Sequence, residues 1–158
     1  SKTAVQEALA AALKLLDFRL RKQDIQLQMA LDPDLPPVFV EKGEPQQVFL
    51  NILTNAMDAM PQGGKLTVNG YREGSYLVVA VADEGPGIDP EALRKVFDPF
   101  YTTKEPGRGT GMGLPISYSI MQRLGGRIEL ESSRQGTTVR LYYPIIEGGQ
   151  QGTEDIGG

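Results

Sequence analysis

Val5, Leu9, Leu13, Leu16 and Leu20 recur every three to four residues, with Gln6, Glu7, Lys14, Asp17 and Arg21 between them. That spacing predicts an amphipathic helix over residues 3–22. The period then changes to two. Ile25, Leu27, Met29 and Leu31 alternate with Gln26, Gln28 and Ala30, as in a strand with one wet face. The prolines of Asp32-Pro33-Asp34-Leu35-Pro36-Pro37 rule out regular structure, so this run is a connection into a short apolar piece, Val38-Phe39-Val40. Helical periodicity returns over residues 44–60, with Pro45 suited to a first turn and Pro61-Gln62-Gly63-Gly64 ending it.

Residues 65–72 and 76–82 read as a hairpin turning at Glu73-Gly74-Ser75; the second strand is apolar on both faces and therefore central. Residues 84–113 are dense in Gly, Pro and charge, interrupted by a short helix over 90–96, and irregular stretches of that length are usually functional. A helix over 115–124 follows, opened by Pro115 and closed by Gly125-Gly126, then a hairpin of residues 127–131 and 137–143. Beyond Pro144 the chain is polar and Gly-rich, with nothing to bury. The order predicts an α+β fold, a two-layer sandwich in which a mixed sheet of about five strands packs against about three helices. One domain is expected over residues 1–146 and a disordered tail over 147–158.

Composition narrows the chemistry. The 158 residues include no Cys, no His and no Trp. Disulfides, zinc fingers, thiol nucleophiles and imidazole triads therefore cannot be built from this chain. With 16 Lys+Arg against 20 Asp+Glu, the net charge of −4 argues against nucleic acid as a partner, although a local basic patch stays open. No apolar run approaches the roughly 18 residues of a spanning helix. The expectation is a cytoplasmic, monomeric domain without membrane contact, whose parent protein is free to be membrane-anchored.

Asn51, Asn55 and Asp58 fall at i, i+4 and i+7 of the second long helix, between apolar flanks. The stripe is either a thin solvated edge or the polar wall of a ligand cleft. An amide oxygen on such a wall suits Mg²⁺, which keeps several waters and takes the rest of its shell from nucleotide phosphates. Asp83-Glu84-Gly85-Pro86-Gly87-Ile88 follows the central strand: by itself a turn, or a carboxylate placed for a purine amine with glycines that let the ring approach the backbone. Gly107-Arg108-Gly109-Thr110-Gly111-Met112-Gly113-Leu114-Pro115 ends at a helix start, where free N–H groups and the helix dipole can cradle polyphosphate. With 19 Gly in the chain, that pattern alone is weak. Between the two lies Phe97-Asp98-Pro99-Phe100-Tyr101-Thr102-Thr103-Lys104, a loop pinned by aromatics, or a lid whose Lys104 and Arg108 reach a terminal phosphate.

Over residues 3–144, these pieces in this order resemble the ATP-binding catalytic domain of bacterial sensor histidine kinases. The superfamily also holds gyrase, the ninety-kilodalton heat-shock chaperone and the mismatch-repair ATPases, all with the Bergerat-type ATP-binding fold. Residues 47–60 match the Asn box, 83–88 the first glycine box, 97–104 the Phe box and 107–114 the second glycine box. The wording is most similar to the branch of nitrogen-regulation and metal-responsive sensors. The resemblance implies ATP and Mg²⁺ as cofactors, with Asn55 on the metal and Asn51 beside it. It implies Asp83 on the adenine amine, Gly85, Gly87 and Ile88 around the base, and Thr137 assisting Asp83 through water. Gly109, Thr110, Gly111, Met112, Gly113 and Leu114 would hold the phosphates. Asp58 and Phe100 complete the nucleotide site, and Lys104 and Arg108 are its lid cations. The catalytic set it implies is Asn51, Lys104 and Arg108.

In the hydrolases of that superfamily a Glu stands one helical turn before the metal-binding Asn and activates water. Here that position is Asn51, and a neutral amide is a poor base. The resemblance therefore points to γ-phosphoryl transfer onto a His of a separate dimerisation domain, for onward signalling to a response regulator. Two alternatives stay open: a nucleotide-binding regulatory module, and a gyrase-type hydrolase, which Asn51 disfavours.

Overall fold

The computed structural model describes residues 2–41, 44–95 and 113–146. The elements run β1 (Lys2–Ala4), α1 (Val5–Lys22), β2 (Ile25–Leu31), β3 (Phe39–Glu41), α2 (Glu44–Asp58), β4 (Gly64–Glu73), β5 (Tyr76–Ala82), α3 (Pro90–Leu93), α4 (Gly113–Arg123), β6 (Arg127–Ser133) and β7 (Gly136–Pro144). Five strands form one mixed sheet in the order β2-β4-β5-β7-β6. The two hairpins and the β5–β7 pair are antiparallel, while β2 joins β4 in parallel, with Leu27 beside Leu66 and Met29 beside Val68. β5 lies at the centre, as its two apolar faces require.

α2 packs between α1 and α4. Their apolar stripes meet one face of the sheet: Leu9, Val48, Phe49, Ile52 and Leu53 share a core with Leu66, Val68, Val79, Val81, Leu141 and Tyr143. The α+β sandwich expected from the periodicity is the observed architecture. On the other face Tyr142 is buried beneath the Arg127 guanidinium, 3.8 Å from its ring centroid, and donates its hydroxyl to Glu129 Oε1 at 2.9 Å.

The differences lie at the ends of elements. The first helix begins at Val5, because Lys2–Ala4 pair antiparallel with Phe39–Glu41 in a second, two-stranded sheet. The short apolar piece at 38–40 is thus a partner strand, held also by the Val5 N–H donating to the Val38 carbonyl at 2.7 Å. α2 stops at Asp58 rather than residue 60, and α4 starts at Gly113, which puts Pro115 inside its first turn. α3 is one turn at Pro90–Leu93, capped by Asp89, whose carboxylate accepts the Glu91 N–H at 3.1 Å. The expected tail over 147–158 lies outside the described residues.

Candidate functional site

The central strand delivers Asp83 to the edge of the sheet, and the start of β7 meets it there. Asp83 Oδ1 accepts the backbone N–H of Gly85 at 2.8 Å and that of Thr137 at 3.3 Å. Both bonds fall on the same oxygen, Oδ1. Burial raises the carboxyl above the usual aspartate value, and the two N–H donors pull it back down. The result is a half-buried acceptor whose orientation is set by backbone.

Gly85 and Gly87 are glycines for local steric reasons. A Cβ on Gly85 would lie 2.7 Å from the Ala59 carbonyl oxygen, so this loop touches the chain just past the end of α2. Gly87 has φ +84°, and a Cβ there would overlap the Ser133 carbonyl. Glu84 anchors the same loop: its N–H donates to Met60 Sδ at 3.3 Å and its Oε1 accepts the Lys65 N–H at 2.8 Å. Ile88 donates its N–H to Ser132 Oγ at 2.7 Å, and Ser132 Oγ lies 2.8 Å from Thr137 Oγ1. The loop at 83–88, the end of α2 and the β6–β7 turn therefore form one unit. Ser132 does not stand out in the sequence as part of a site and is found only by its contacts, and the thioether contact of Met60, at the end of the Asn box, is likewise seen only in the fold.

On α2, Asn51 is tied from two sides. Gln47 Nε2 donates to its Oδ1 at 2.9 Å, and its Nδ2 donates to Ser117 Oγ on α4 at 3.4 Å. Asp58 is engaged from α1 by Arg19 Nη2 at 2.7 Å, a structural use that the helical stripe did not reveal. Asn55 lies half-buried between these two positions along the helix. Among the described residues no cluster of three or more carboxylates could form a protein cage for a metal. A single amide oxygen fits Mg²⁺ in the mode where phosphates and waters supply most of the shell.

Thr137 is buried beside Asp83, and Leu114 packs partly against the core from the first turn of α4, next to Gly113. Phe100, Lys104, Arg108, Gly109, Thr110, Gly111 and Met112, with the rest of the stretch at 96–112, lie outside the described residues. The structure thus brings Asp83, Gly85, Gly87, Ile88 and Thr137 together and connects them to the helix that carries Asn51 and Asn55. The arrangement sets an oriented carboxylate acceptor in a loop that packs on the end of the helix bearing the two amides.

Residues 41–147 match the model of the histidine kinase-, DNA gyrase B- and HSP90-like ATPases. The chain belongs to this family. Sensor kinase CckA of Brucella abortus (strain 2308) is 40% identical over 152 residues, which cover 86% of this chain and 16% of that protein. The sensory histidine kinase/phosphatase NtrB of Rhizobium meliloti (strain 1021) is 37% identical over 140 residues, covering 78% of this chain and 36% of that protein. The chain therefore spans well under half the length of these relatives. Among solved structures, the catalytic domain of histidine kinase ThkA superposes with a TM-score of 0.82 at 28% identity, covering 91% of this chain and 94% of that one. ThkA in complex with response regulator protein TrrA gives a TM-score of 0.78 at 25% identity, over 92% of this chain and 42% of that one. The fold is that of a histidine-kinase catalytic domain. Among the described residues no helix is long and apolar enough to cross a membrane.

Proposed function

We propose that this chain binds Mg²⁺-ATP and passes the γ-phosphoryl group to a histidine of a separate helical phosphoacceptor domain. The P–N bond to the imidazole forms as the bond to the β-phosphate oxygen breaks, and ADP leaves. The observation that carries the reading is Asp83, a half-buried carboxylate oriented by the Gly85 and Thr137 N–H groups in a loop that packs against Ala59 and Met60, just past the end of the helix that carries Asn51 and Asn55. The chain contains no histidine, so the acceptor belongs to another domain.

Asp83 holds the base through its amine, with Thr137 beside it and Gly85, Gly87 and Ile88 shaping the pocket. Asn55 is the metal ligand, and bound Mg²⁺ supplies neutralisation of phosphate charge. Gly109, Thr110, Gly111, Met112, Gly113 and Leu114 hold the phosphates, with Phe100, Lys104 and Arg108 on the lid. Catalysis rests on positioning and charge neutralisation more than on acid-base chemistry. Asn51 is consistent with that division of labour, since an imidazole is already nucleophilic whereas water needs a base. The domain works as a cytoplasmic monomer, and a response regulator receives the phosphoryl group from the acceptor.

The test is transfer in trans. Labelled ATP, Mg²⁺, this chain and the separately prepared His-bearing domain of its parent yield an acid-labile phosphoprotein. No label, under conditions where the intact parent labels itself, overturns the reading.

A further inference from the structure

The five-stranded sheet ends in two edge strands, β2 and β6, and their side chains differ in kind. β6 carries Arg127, Glu129 and Glu131 at alternate positions, and each is in an ion pair: Arg127 with Glu129 at 3.0 Å and Glu131 with Arg140 at 2.6 Å. Charges along an edge discourage pairing with another strand. β2, with the sequence Ile-Gln-Leu-Gln-Met-Ala-Leu over residues 25–31, has no charged residue, no proline and no glycine. All but Ile25 are exposed, and Leu27, Met29 and Leu31 keep 37%, 43% and 38% of their surface. Among the described residues no strand pairs with the outer side of β2.

The inner ladder fixes which main-chain groups face outwards. The Asp32 N–H donates to the Gly70 carbonyl at 2.9 Å, and the Asp24 carbonyl accepts the Gly64 N–H at 3.3 Å, so the even-numbered positions turn toward β4. Main-chain direction alternates along a strand. The N–H and C=O groups of Leu27, Met29 and Leu31 therefore point away from the sheet, at the two-residue interval of an incoming strand. Their side chains lie on the helix side, since Leu27 stands beside Leu66 and Met29 beside Val68, both in the core. A strand added here lays its own apolar side chains against these three and extends the core layer. The charge around this edge has one sign: Asp24, Asp32 and Asp34 are exposed, and no Lys or Arg occurs from Gln23 to Val40.

We propose that the outer edge of β2 is a docking site for an extended segment of a partner protein, one with apolar residues at alternate positions and basic residues at its ends. The segment joins the sheet as a further strand. The main-chain ladder supplies affinity, Leu27, Met29 and Leu31 favour apolar side chains, and Asp24, Asp32 and Asp34 select basic ends over acidic ones. The inference is independent of the Mg²⁺-ATP reading.

The test is amide hydrogen exchange, followed by NMR on the full chain with and without a synthetic peptide that alternates Val and Thr and carries Lys at both ends. Binding should slow exchange at Leu27, Met29 and Leu31 by about tenfold or more and leave Gln26, Gln28 and Ala30, already paired with β4, unchanged. N-methylating alternate peptide amides abolishes the protection in one phase of the alternation and spares it in the other, because only every second amide faces β2. Glu in place of the terminal Lys weakens binding. Met29→Lys, which gives β2 a charge of the kind β6 has, lowers peptide affinity about tenfold, with Mg²⁺-ATP affinity and melting temperature as in the unaltered chain. Met29→Pro removes an outward N–H and no bond to β4, with the same effect on the peptide. If that variant does not melt cooperatively, Met29→Lys and the N-methylated peptides decide the matter. Absence of peptide binding, equal protection at odd and even positions, or binding that Met29→Lys leaves unchanged overturns the proposal. Protection of the odd positions without peptide, together with a dimer in analytical ultracentrifugation, assigns the edge to a second copy of the chain and overturns it as well.

Discussion

Asp83 and Thr137 grip each other in both directions. The Asp83 N–H donates to the Thr137 carbonyl at 2.9 Å, while the Thr137 N–H donates to Asp83 Oδ1 at 3.3 Å. The two residues are 54 positions apart in the chain. Together they fix the carboxylate as an extension of the sheet rather than as a free side chain, and the adenine contact proposed for it would need no reorientation.

Replacing that carboxylate separates binding from stability. In Asp83→Asn the amide oxygen still accepts from Gly85 and Thr137, but the outward group becomes a donor. ATP affinity is expected to fall by about 10- to 100-fold, the range for losing a hydrogen bond to a charged group, with no loss of melting temperature. Burial raises the Asp83 value in the folded state. The group therefore favours the fold below its unfolded-state value, and that advantage is lost as pH rises through the raised folded value. Binding behaves oppositely: as pH falls, the carboxylate protonates earlier than an ordinary aspartate, and ATP affinity drops in mild acid. The pH profile of the dissociation constant for the unaltered chain checks this, and a profile flat into the ordinary aspartate range would contradict it.

Asn55→Ala removes the amide oxygen assigned to the metal without touching the buried core. Its nucleotide affinity in the presence of Mg²⁺ should fall to the value measured with EDTA, while its circular dichroism stays unchanged. Full Mg²⁺ dependence in this variant would show that the metal is held elsewhere.

Asn51 is held by Gln47 and by Ser117, and as an amide it cannot serve as a base. Phosphate release by the isolated chain should be close to background, and Asn51→Ala should not lower it. Steady release that Asn51→Ala abolishes would return the hydrolase reading.

Tyr143 is fully buried against Phe49, with ring centroids 5.9 Å apart, and among the described residues its hydroxyl has no hydrogen-bond partner. Burial accordingly drives its ionisation far above the usual tyrosine value. Tyr143→Phe keeps the ring and deletes the stranded polar atom. It should stabilise the domain by about 1 kcal/mol and raise the melting temperature by about 2–4 °C. A lower melting temperature would mean that the hydroxyl is satisfied in solution.

Gln23 closes α2 from the end of α1: its Nε2 donates to the carbonyls of Met57 at 2.7 Å and Met60 at 2.9 Å. Met57 lies in the last turn of α2 and Met60 just past its end; the same carbonyls also accept the Met60 N–H at 3.0 Å and the Gly63 N–H at 2.9 Å, so Gln23 adds a second donor to each. Gln23→Ala should cost about 1–2 kcal/mol, measured by urea denaturation. Because Glu84 and Gly85 rest on the same turn, nucleotide affinity should fall with it. A variant as stable as the parent would show that water replaces the amide.

Elements long enough to express a period were legible in the chain. α1, α2, β4 and β5 lie where the spacing of Leu, Ile and Val put them, and the apolar run at 77–81 marked the central strand. β1 and β3 were not legible, since three residues carry no period and each strand exists only through the other. The site divides in the same way. Asp83, Gly85, Gly87 and Thr137 were found from motif order and resemblance, and the structure brings them together. Asp58 was chosen for its place on the Asn51–Asn55 stripe, but its neighbour across the helix interface is Arg19, 39 positions earlier in the chain. Ser132 and Gln23 carried no signal, because a hydroxyl or an amide acquires its role from what it faces.

The sequence by itself determined the longer helices and strands, the α+β class and the kind of chemistry open to the chain. Periodicity and residue inventory are local properties: alternation specifies a strand, and a chain without His or Cys has no imidazole or thiol to offer. Only the tertiary structure decided which atoms meet. The second donor to Asp83, the meeting of the Ile88 N–H with Ser132 Oγ and the bracing of α2 by Gln23 depend on bonds across the sheet order β2-β4-β5-β7-β6 and between packed helices. Such bonds join residues far apart in the chain, and only the burial of one continuous core brings them within hydrogen-bonding distance.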